Sequence, residues 1–112
     1  MTNVPSPYLL VVTEYHDRGP VLRLRGELDV SSKDLLERAI SAALEPPPQM
    51  LVFNLSELAF MDCGGASVLR RTHDLLAGRQ TQILVTGAQP IVRRLFHLLG
   101  LDTCLGLNAP AA

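Results

Sequence analysis

The chain has 112 residues, 47% of them apolar, which suits one compact domain around one core and is too few for two. Ten basic and eleven acidic side chains give a formal net charge of -1, so a general electrostatic attraction to nucleic acid or to an anionic membrane is not expected. Tryptophan is absent and aromatic residues make up 4%, so stacking surfaces for single-stranded nucleic acid are also missing.

The first two elements predict a β-hairpin. Residues 9–15 and 21–25 are extended stretches separated by "HDRGP", whose glycine and proline mark a turn. The second stretch alternates apolar residues with arginines, so we expect Arg23 and Arg25 to face solvent.

A helix and a buried strand follow the hairpin. Ser31 and Ser32 stand where a helix N-cap is expected. The residues after them that share one helical face are Leu35, Leu36, Ala39, Ile40, Ala43 and Leu44. The prolines of "EPPPQ" end this helix, because proline lacks an amide donor and clashes with the preceding turn. The unbroken apolar run "MLVFNL" then predicts a central strand buried on both faces.

Two more helices and another buried strand complete the predicted elements. From Gly64 to Gly78 the predicted inward face is Gly65, Val68, Leu69, Thr72, Leu75 and Leu76, and the outward face is Ser67, Arg70, Arg71 and Asp74. "QILVTG" is the strand that follows. Pro90 begins a third helix, closed by Gly100, whose inward face is Ile91, Val92, Leu95, Phe96 and Leu99. A weak last strand is predicted at residues 103–107.

The order β-β-α-β-α-β-α-β predicts a single α/β domain at residues 8–107, with tails at 1–7 and 108–112. We expect a mixed, mostly parallel sheet of four or five strands, with an N-terminal hairpin and about three main helices. No apolar run approaches the roughly 18 to 20 residues of a spanning helix, and the N-terminus lacks a signal-peptide pattern. The sequence therefore predicts a cytoplasmic protein that does not insert into the membrane.

The stretch "FMDCGGASVLRR" places an acid, a thiol and two glycines where a buried strand becomes a helix. Loops at the carboxyl ends of parallel strands are where such sheets usually build sites. Gly64 and Gly65 permit close backbone approach, and the first helix amides are unpaired donors that favour an anion. Asp62 fits a helix N-cap, which does not exclude a surface role. Cys63 is either a small buried apolar residue or a thiol activated by the helix terminus and opposed by Asp62.

The sequence predicts no catalytic residue and no cofactor. It contains no GxSxG elbow, no phosphate loop with GK[ST], no GxGxxG after the first strand and no HExxH. A nucleophilic Cys63 would need a base, and His73, ten residues along the same helix, would lie about 15 Å away. Cys63 and Cys104 are too far apart for a CxxC pair, and the histidines fall on different elements, so no metal site is expected.

Three stretches resemble the sequence blocks of the STAS domain, in particular those of bacterial anti-sigma factor antagonists that bind a serine-kinase anti-sigma factor. They are "RLRGELDVSS", "LVFNLSELAFMDCGGASVL" and "TGAQPIVRRLFHLLGLD". The resemblance covers about residues 8–107, and its most specific parts are "GELD" and "FMD-x-x-G" at a strand-to-helix junction.

The resemblance implies a partner switch. In that family the residue after the aspartate of the third block is usually a serine or threonine, which the partner kinase phosphorylates. The unphosphorylated antagonist binds the anti-sigma factor, and about two negative charges from the phosphate end the complex. Cys63 stands at the acceptor position. The partner-binding residues that the resemblance implies are Asp29, Asp62, Cys63, Gly64, Gly65, Ser67, Arg70 and Arg71.

This sequence departs from the family pattern at the acceptor. A thiol is not a serine-kinase substrate and Gly64 replaces the second family serine, so we predict that the phospho-switch is absent while the surface remains. Whether Ser56 or Ser67 is a replacement phosphosite stays open. A bond from Cys63 to Cys104 is not expected, because parallel strands would set them at opposite sheet ends. Oxidation of Cys63, or an intermolecular disulfide through it, stays open.

The leading hypothesis is therefore an anti-sigma factor antagonist, a non-enzymatic regulator of transcription whose partner is a serine-kinase anti-sigma factor. The alternative is a soluble STAS accessory subunit of a membrane transport complex. Arg70 and Arg71 either pair with acidic groups of a partner or form a solvated helix face. A homodimer is left open, and no nucleic-acid partner is expected.

Overall fold

The computed structural model describes residues 8–102, which form a four-stranded mixed sheet and three helices. In chain order the elements are β1 Leu9–His16, β2 Gly19–Leu28, α1 Lys33–Ala43, β3 Met50–Met61, α2 Cys63–Leu76, β4 Gln82–Thr86 and α3 Pro90–Leu98. The predicted α/β class, the N-terminal hairpin and the three helices are confirmed. The strand predicted at residues 103–107 lies outside the described residues.

The strands lie in the sheet in chain order. β1 pairs antiparallel with β2, whereas β2 with β3 and β3 with β4 are parallel. The two parallel connections run in the same direction across the sheet, so right-handed crossovers place α1 and α2 on one face, where they contact each other. α3 packs against β3. The carboxyl ends of β2 and β3 meet at one edge.

The core lies between the sheet and the helices. Alternate strand residues are buried there, namely Leu22, Leu24, Leu51, Phe53, Ile83 and Val85. Between them, Met50, Val52 and Leu84 are only half-buried, while Arg23 and Arg25 are exposed as predicted. The expectation that β3 is buried on both faces is wrong, because α1 and α2 cover the same face of the sheet.

The helix faces agree with the periodicity of the sequence except at their margins. On α1, Leu36, Ile40 and Ala43 are buried, as expected. On α2 the prediction fails for Leu75, which is 54% exposed because it lies just outside the buried arc that contains Leu69 and Leu76.

The third helix buries a narrower face than predicted. Val92 and Phe96 are buried and Leu95 is half-buried, but Ile91 is 60% exposed and Leu99 37% exposed. The two wrong assignments arise because this short helix packs only one narrow arc against the rest of the core.

Candidate partner-binding site

The candidate site lies at the carboxyl edge of β2 and β3. Leu28 and Met61 end these strands as a cross-strand pair, and the Asp62 N–H donates to the Leu28 carbonyl at 3.1 Å. Asp29 and Asp62 directly follow the two paired residues. The two acids that the sequence places far apart therefore stand on neighbouring loops.

Two irregularities in the β2–β3 ladder produce this juxtaposition. Arg23 pairs with Asn54, and an unbroken ladder from that pair would set Leu28 opposite Ala59. Register shifts after Arg23 and after Gly26 instead advance β3 by two residues, so Leu28 meets Met61. Such bulges insert residues into one strand and redirect its side chains. Here they align the start of α2 with the end of β2.

Asp62 is the N-cap of α2. Its Oδ1 accepts a hydrogen bond from the Gly65 N–H at 2.8 Å, and its carbonyl accepts from the Ala66 N–H at 3.0 Å. The first bond satisfies one of the amide donors that a helix leaves unpaired at its start. The half-buried carboxylate is thereby held against the backbone at the surface of the junction.

The two glycines after Cys63 have different roles. A Cβ at Gly65 would lie 2.7 Å from Leu28 Cγ and 2.9 Å from the Leu28 carbonyl oxygen, so a side chain there would force α2 away from β2. A Cβ at Gly64 would have only the Asp62 carboxylate nearby, at 3.3 Å. Gly65 therefore sets the close approach of helix and strand, which the sequence alone does not distinguish from Gly64.

The Cys63 side chain is exposed at the first position of α2. This placement excludes the interpretation of Cys63 as a buried apolar residue. Nearby on β3, the Phe60 side chain is 41% exposed, and this aromatic residue was not among the predicted binding residues. The sequence contained a signal for this exposure. Phe60 directly precedes Met61, which is buried at the end of the strand, and successive strand residues point to opposite faces of a sheet. Cys104 lies outside the described residues.

Hydrogen bonds within the loop after β2 hold the Asp29 carboxylate in place. Its Oδ1 accepts from the Ser31 hydroxyl at 2.7 Å and from the Ser31 N–H at 3.0 Å. The Ser31 hydroxyl is the largest cause of an Asp29 pKa held below its ordinary value. The carboxylate is therefore ionised at neutral pH.

Ser32 supports the same loop instead of capping α1 with its side chain. Ser32 occupies the N-cap position, but its hydroxyl donates to the Glu27 carbonyl at 3.1 Å and accepts from the Asp29 N–H at 3.0 Å. The expected serine side-chain cap is wrong, because the loop uses the hydroxyl. The Ser32 hydroxyl thus bridges the Glu27 carbonyl and the Asp29 N–H, and this bridge stabilises the backbone of the loop.

The remaining candidate residues lie farther along α2. The exposed Ser67 hydroxyl donates to the Gly64 carbonyl at 2.9 Å. Arg71 pairs with Glu37 of α1 at 2.7 Å, and Arg70 lies 3.9 Å from Asp74. Arg71 lies eight positions after Cys63 along the helix, a rise of about 12 Å. The arginines are therefore engaged on the side of α2 and do not stand at the edge itself.

Ser56 lies well away from this edge. Its N–H donates to Asn54 Oδ1 at 3.0 Å and its carbonyl accepts from Gln89 Nε2 at 2.9 Å, beside the loop that enters α3. Along an extended strand, six residues put it about 20 Å from Asp62.

Within residues 8–102, no helix has the length and apolar content needed to cross a bilayer. No three or more histidine, cysteine, aspartate or glutamate side chains in this part of the chain come close enough together to hold a metal ion.

Comparison with known proteins identifies the family. The sequence profile of the STAS domain matches residues 11–108. The anti-sigma-F factor antagonist RsfB of Mycobacterium tuberculosis is 31% identical over 100 residues, which cover 89% of this chain and 80% of RsfB. The chain therefore belongs to the STAS domain family, in its anti-sigma factor antagonist branch.

Solved structures agree with this assignment. An anti-sigma factor antagonist from Mycobacterium paratuberculosis superposes with a TM-score of 0.83 at 33% identity, covering 93% of this chain and 89% of that one. The anti-sigma factor antagonist SpoIIAA in its unphosphorylated form superposes with a TM-score of 0.72 at 30% identity, covering 92% and 89%. A phosphorylated form of SpoIIAA from Bacillus gives 0.66 at 29% identity, covering 92% of both chains.

Proposed function

We propose that this protein is an anti-sigma factor antagonist, a non-enzymatic regulator that binds an anti-sigma factor of the serine-kinase type in a partner-switching pathway of transcription. The observation that carries the proposal is the exposed junction at Asp62 and Cys63, set beside the Asp29 loop in a chain similar to named antagonists over most of its length. The capping bond of Asp62 and the close packing of Gly65 on Leu28 support a binding role, because a preformed surface costs little ordering on association.

The proposed binding surface is centred on the carboxyl edge of β2 and β3 and extends along the first turns of α2. Its residues are Asp29, Asp62, Cys63, Gly64, Gly65 and Ser67, with Arg70 and Arg71 at its margin. The ion pairs of the two arginines support a marginal place, because a partner would have to compete for them.

Cys63 is the position at which this protein would differ from a phospho-regulated antagonist. SpoIIAA has been solved with and without phosphate. A phosphate at position 63 would add about two negative charges next to Asp62, enough to disrupt a packed interface. A thiol cannot take that phosphate from a serine kinase. The protein would then stay in its binding-competent form whenever the kinase is active.

The binding proposal is tested by calorimetry of the purified chain with each purified serine-kinase anti-sigma factor of its host. We expect the wild type to bind at least one of them, and Asp62→Lys to weaken the complex at least about 30-fold. Asp17→Lys, an equal charge change in the hairpin turn at the opposite end of the sheet, is the control and should bind normally.

A wild-type chain that binds none of these proteins would refute the proposal. Co-purification with a permease and its ATPase would instead favour the transport-complex alternative. Because Asp62→Lys also removes a helix cap, circular dichroism must show that the variant is folded, and Cys63→Glu gives a second test at an exposed side chain.

The missing phospho-switch is tested separately with the same partner and ATP. We expect no phosphate on the wild type and about one phosphate per chain on Cys63→Ser, followed by release of that variant from the partner. Intact-mass spectrometry measures the modification. Stoichiometric phosphate on wild-type Ser56 or Ser67 would show that a different switch replaces the lost one.

A further inference from the structure

An exposed aromatic side chain lies on the outer face of the sheet directly below the candidate site. Phe60 of β3 pairs with Glu27 of β2, and both are exposed. Their neighbours Leu28 and Met61 are buried in the core, so Phe60 and Glu27 point to the opposite side of the sheet. The next residues along the two strands lead into the loops of Asp29 and Asp62.

Negative charge is concentrated at this end of the sheet. Residues 25–34 and 57–63 carry five acidic and two basic side chains, a net of -3 within a chain of net charge -1. These are Glu27, Asp29, Asp34, Glu57 and Asp62 against Arg25 and Lys33. At the other end of the sheet, residues 15–20, 44–50 and 77–82 carry two acidic and two basic side chains. The acidity therefore belongs to the site and not to the chain as a whole.

We infer that the partner-binding surface extends from the start of α2 onto this outer face, with Phe60 as its apolar anchor and Glu27 in its acidic rim. The surface fits a protein partner that offers an apolar pocket for the Phe60 ring, bordered by arginine or lysine side chains. The inference rests on the proposed function and names the chemistry of the partner at that same site.

Two physical arguments support this partner chemistry. A few aromatic side chains, seated in apolar pockets and surrounded by polar contacts, carry most of the affinity of typical protein interfaces. Phe60 has the matching arrangement, an exposed ring beside fixed polar loops. A surface of one charge also steers a partner of the opposite charge and accelerates its association, an effect that salt screens. Val30, 70% exposed in the adjoining loop, adds apolar area.

The anchor is tested with the anti-sigma factor that binds the wild type. Phe60→Ala should raise the dissociation constant at least about 30-fold. Tyr15→Ala is the matched control, because Tyr15 is an aromatic residue, 72% exposed, near the far end of the hairpin. The control should change the constant less than about 3-fold. Thermal unfolding must show that Phe60→Ala is folded, and an unchanged constant for that folded variant overturns the inference.

The acidic rim is tested in a separate experiment, which measures association rate constants for the wild type and for charge variants that keep Phe60. Between about 50 mM and about 300 mM salt, the wild-type rate constant should fall about 10-fold. Glu27→Lys should lower it about 10-fold at the lower salt concentration and flatten its salt dependence, whereas Asp17→Lys should leave it unchanged. A wild-type rate that is independent of salt overturns the inference.

The combined results separate the two proposals. A wild-type chain that binds no anti-sigma factor refutes the proposed function, and the inference with it. Binding that Asp62→Lys abolishes but that folded Phe60→Ala and Glu27→Lys leave intact supports the proposed function and overturns the inference alone.

Discussion

Both ends of the sheet contain a glycine whose backbone lies close against a neighbouring element. At the amino end, Gly19 adopts a φ of 146°, and a Cβ there would clash with the Met50 carbonyl oxygen. The Thr81 hydroxyl donates to the Pro48 carbonyl at that same end. At the carboxyl end, Gly65 lies against Leu28 in the same close manner. Close backbone approach is thus a general device of this fold and does not by itself mark a functional site.

The two ends differ in what they present to solvent. The amino end is electrically balanced, whereas the carboxyl end is acidic and exposes a thiol. Its carboxylates are also fixed: Asp29 is held by Ser31, and Asp62 by the first turn of α2. Fixed and exposed chemical groups therefore distinguish the candidate site, because close backbone contact is common to both ends.

The largest expected effect concerns the contact between α2 and β2. Gly65→Ala should lower the free energy of unfolding by about 1–3 kcal/mol, because its Cβ meets both the side chain and the carbonyl of Leu28. Gly64→Ala is the control and should be near neutral, since the gain in helix propensity of about 0.5–1 kcal/mol offsets one close contact with Asp62. Urea unfolding measures both. Equal losses would mean that Leu28 gives way.

Two variants with a similar expected loss of stability, one at each end of the sheet, test whether the two ends differ in function. Asp62→Ala removes the helix cap and Thr81→Val removes a partly buried hydrogen bond, each at a cost of about 1 kcal/mol of stability. We expect only Asp62→Ala to weaken binding to the partner. If Thr81→Val weakened it equally, binding would depend on overall stability and not on the carboxyl edge.

Acid should reveal the fixed state of Asp29. Hydrogen bonds, of which the one from the Ser31 hydroxyl has the largest effect, hold the pKa of Asp29 in the folded protein below its ordinary value of 3.8. The stability that this lowered pKa contributes is present above the unfolded pKa and is lost as pH falls through the folded pKa. The melting temperature of the wild type should therefore fall more steeply below about pH 4 than that of Asp29→Asn. Ser31→Ala should reduce the difference, and identical profiles would show that the loop bonds do not matter.

The smallest expected effect lies on the helical layer between the two ends. Glu37→Gln removes the ion pair with Arg71. Because the Glu37 side chain is 40% exposed and that of Arg71 is 61% exposed, the free energy of unfolding should fall by less than about 1 kcal/mol. The loss should shrink in about 1 M salt, because exposed charges are screened. Thermal unfolding at two salt concentrations measures it. A loss that salt leaves unchanged would indicate packing of the Glu37 side chain instead.

Local patterns were sufficient to predict most of the fold. The turn at "HDRGP", the three prolines and the helical spacing predicted the hairpin, the end of α1 and the three helices. They were insufficient for burial at the margins. Leu75, Ile91 and Leu99 have the right spacing yet are exposed, because how wide an arc of a helix is buried depends on the neighbouring elements.

The candidate site was predictable only in part, because it also depends on contacts between elements that are distant in the chain. "FMDCGGASVLRR" stood out as a strand-to-helix junction, and the resemblance added Asp29 as a second acid. Phe60 and Glu27 stand in the motifs "FMD" and "GELD" but were not predicted to bind a partner, because the proposed role comes from their being cross-strand neighbours on the outer face. The different roles of Gly64 and Gly65 likewise required the position of Leu28.

The sequence by itself determined which segments become strands and helices, because alternation, helical period, prolines and glycines act over a few residues. Only the tertiary structure decided that the Asp29 loop stands beside Asp62 and that the Cys63 thiol faces solvent. Two register shifts between β2 and β3 bring Leu28 opposite Met61 in place of Ala59. Pairing between strands far apart in the chain has no local signature, so the geometry of this edge was settled by packing.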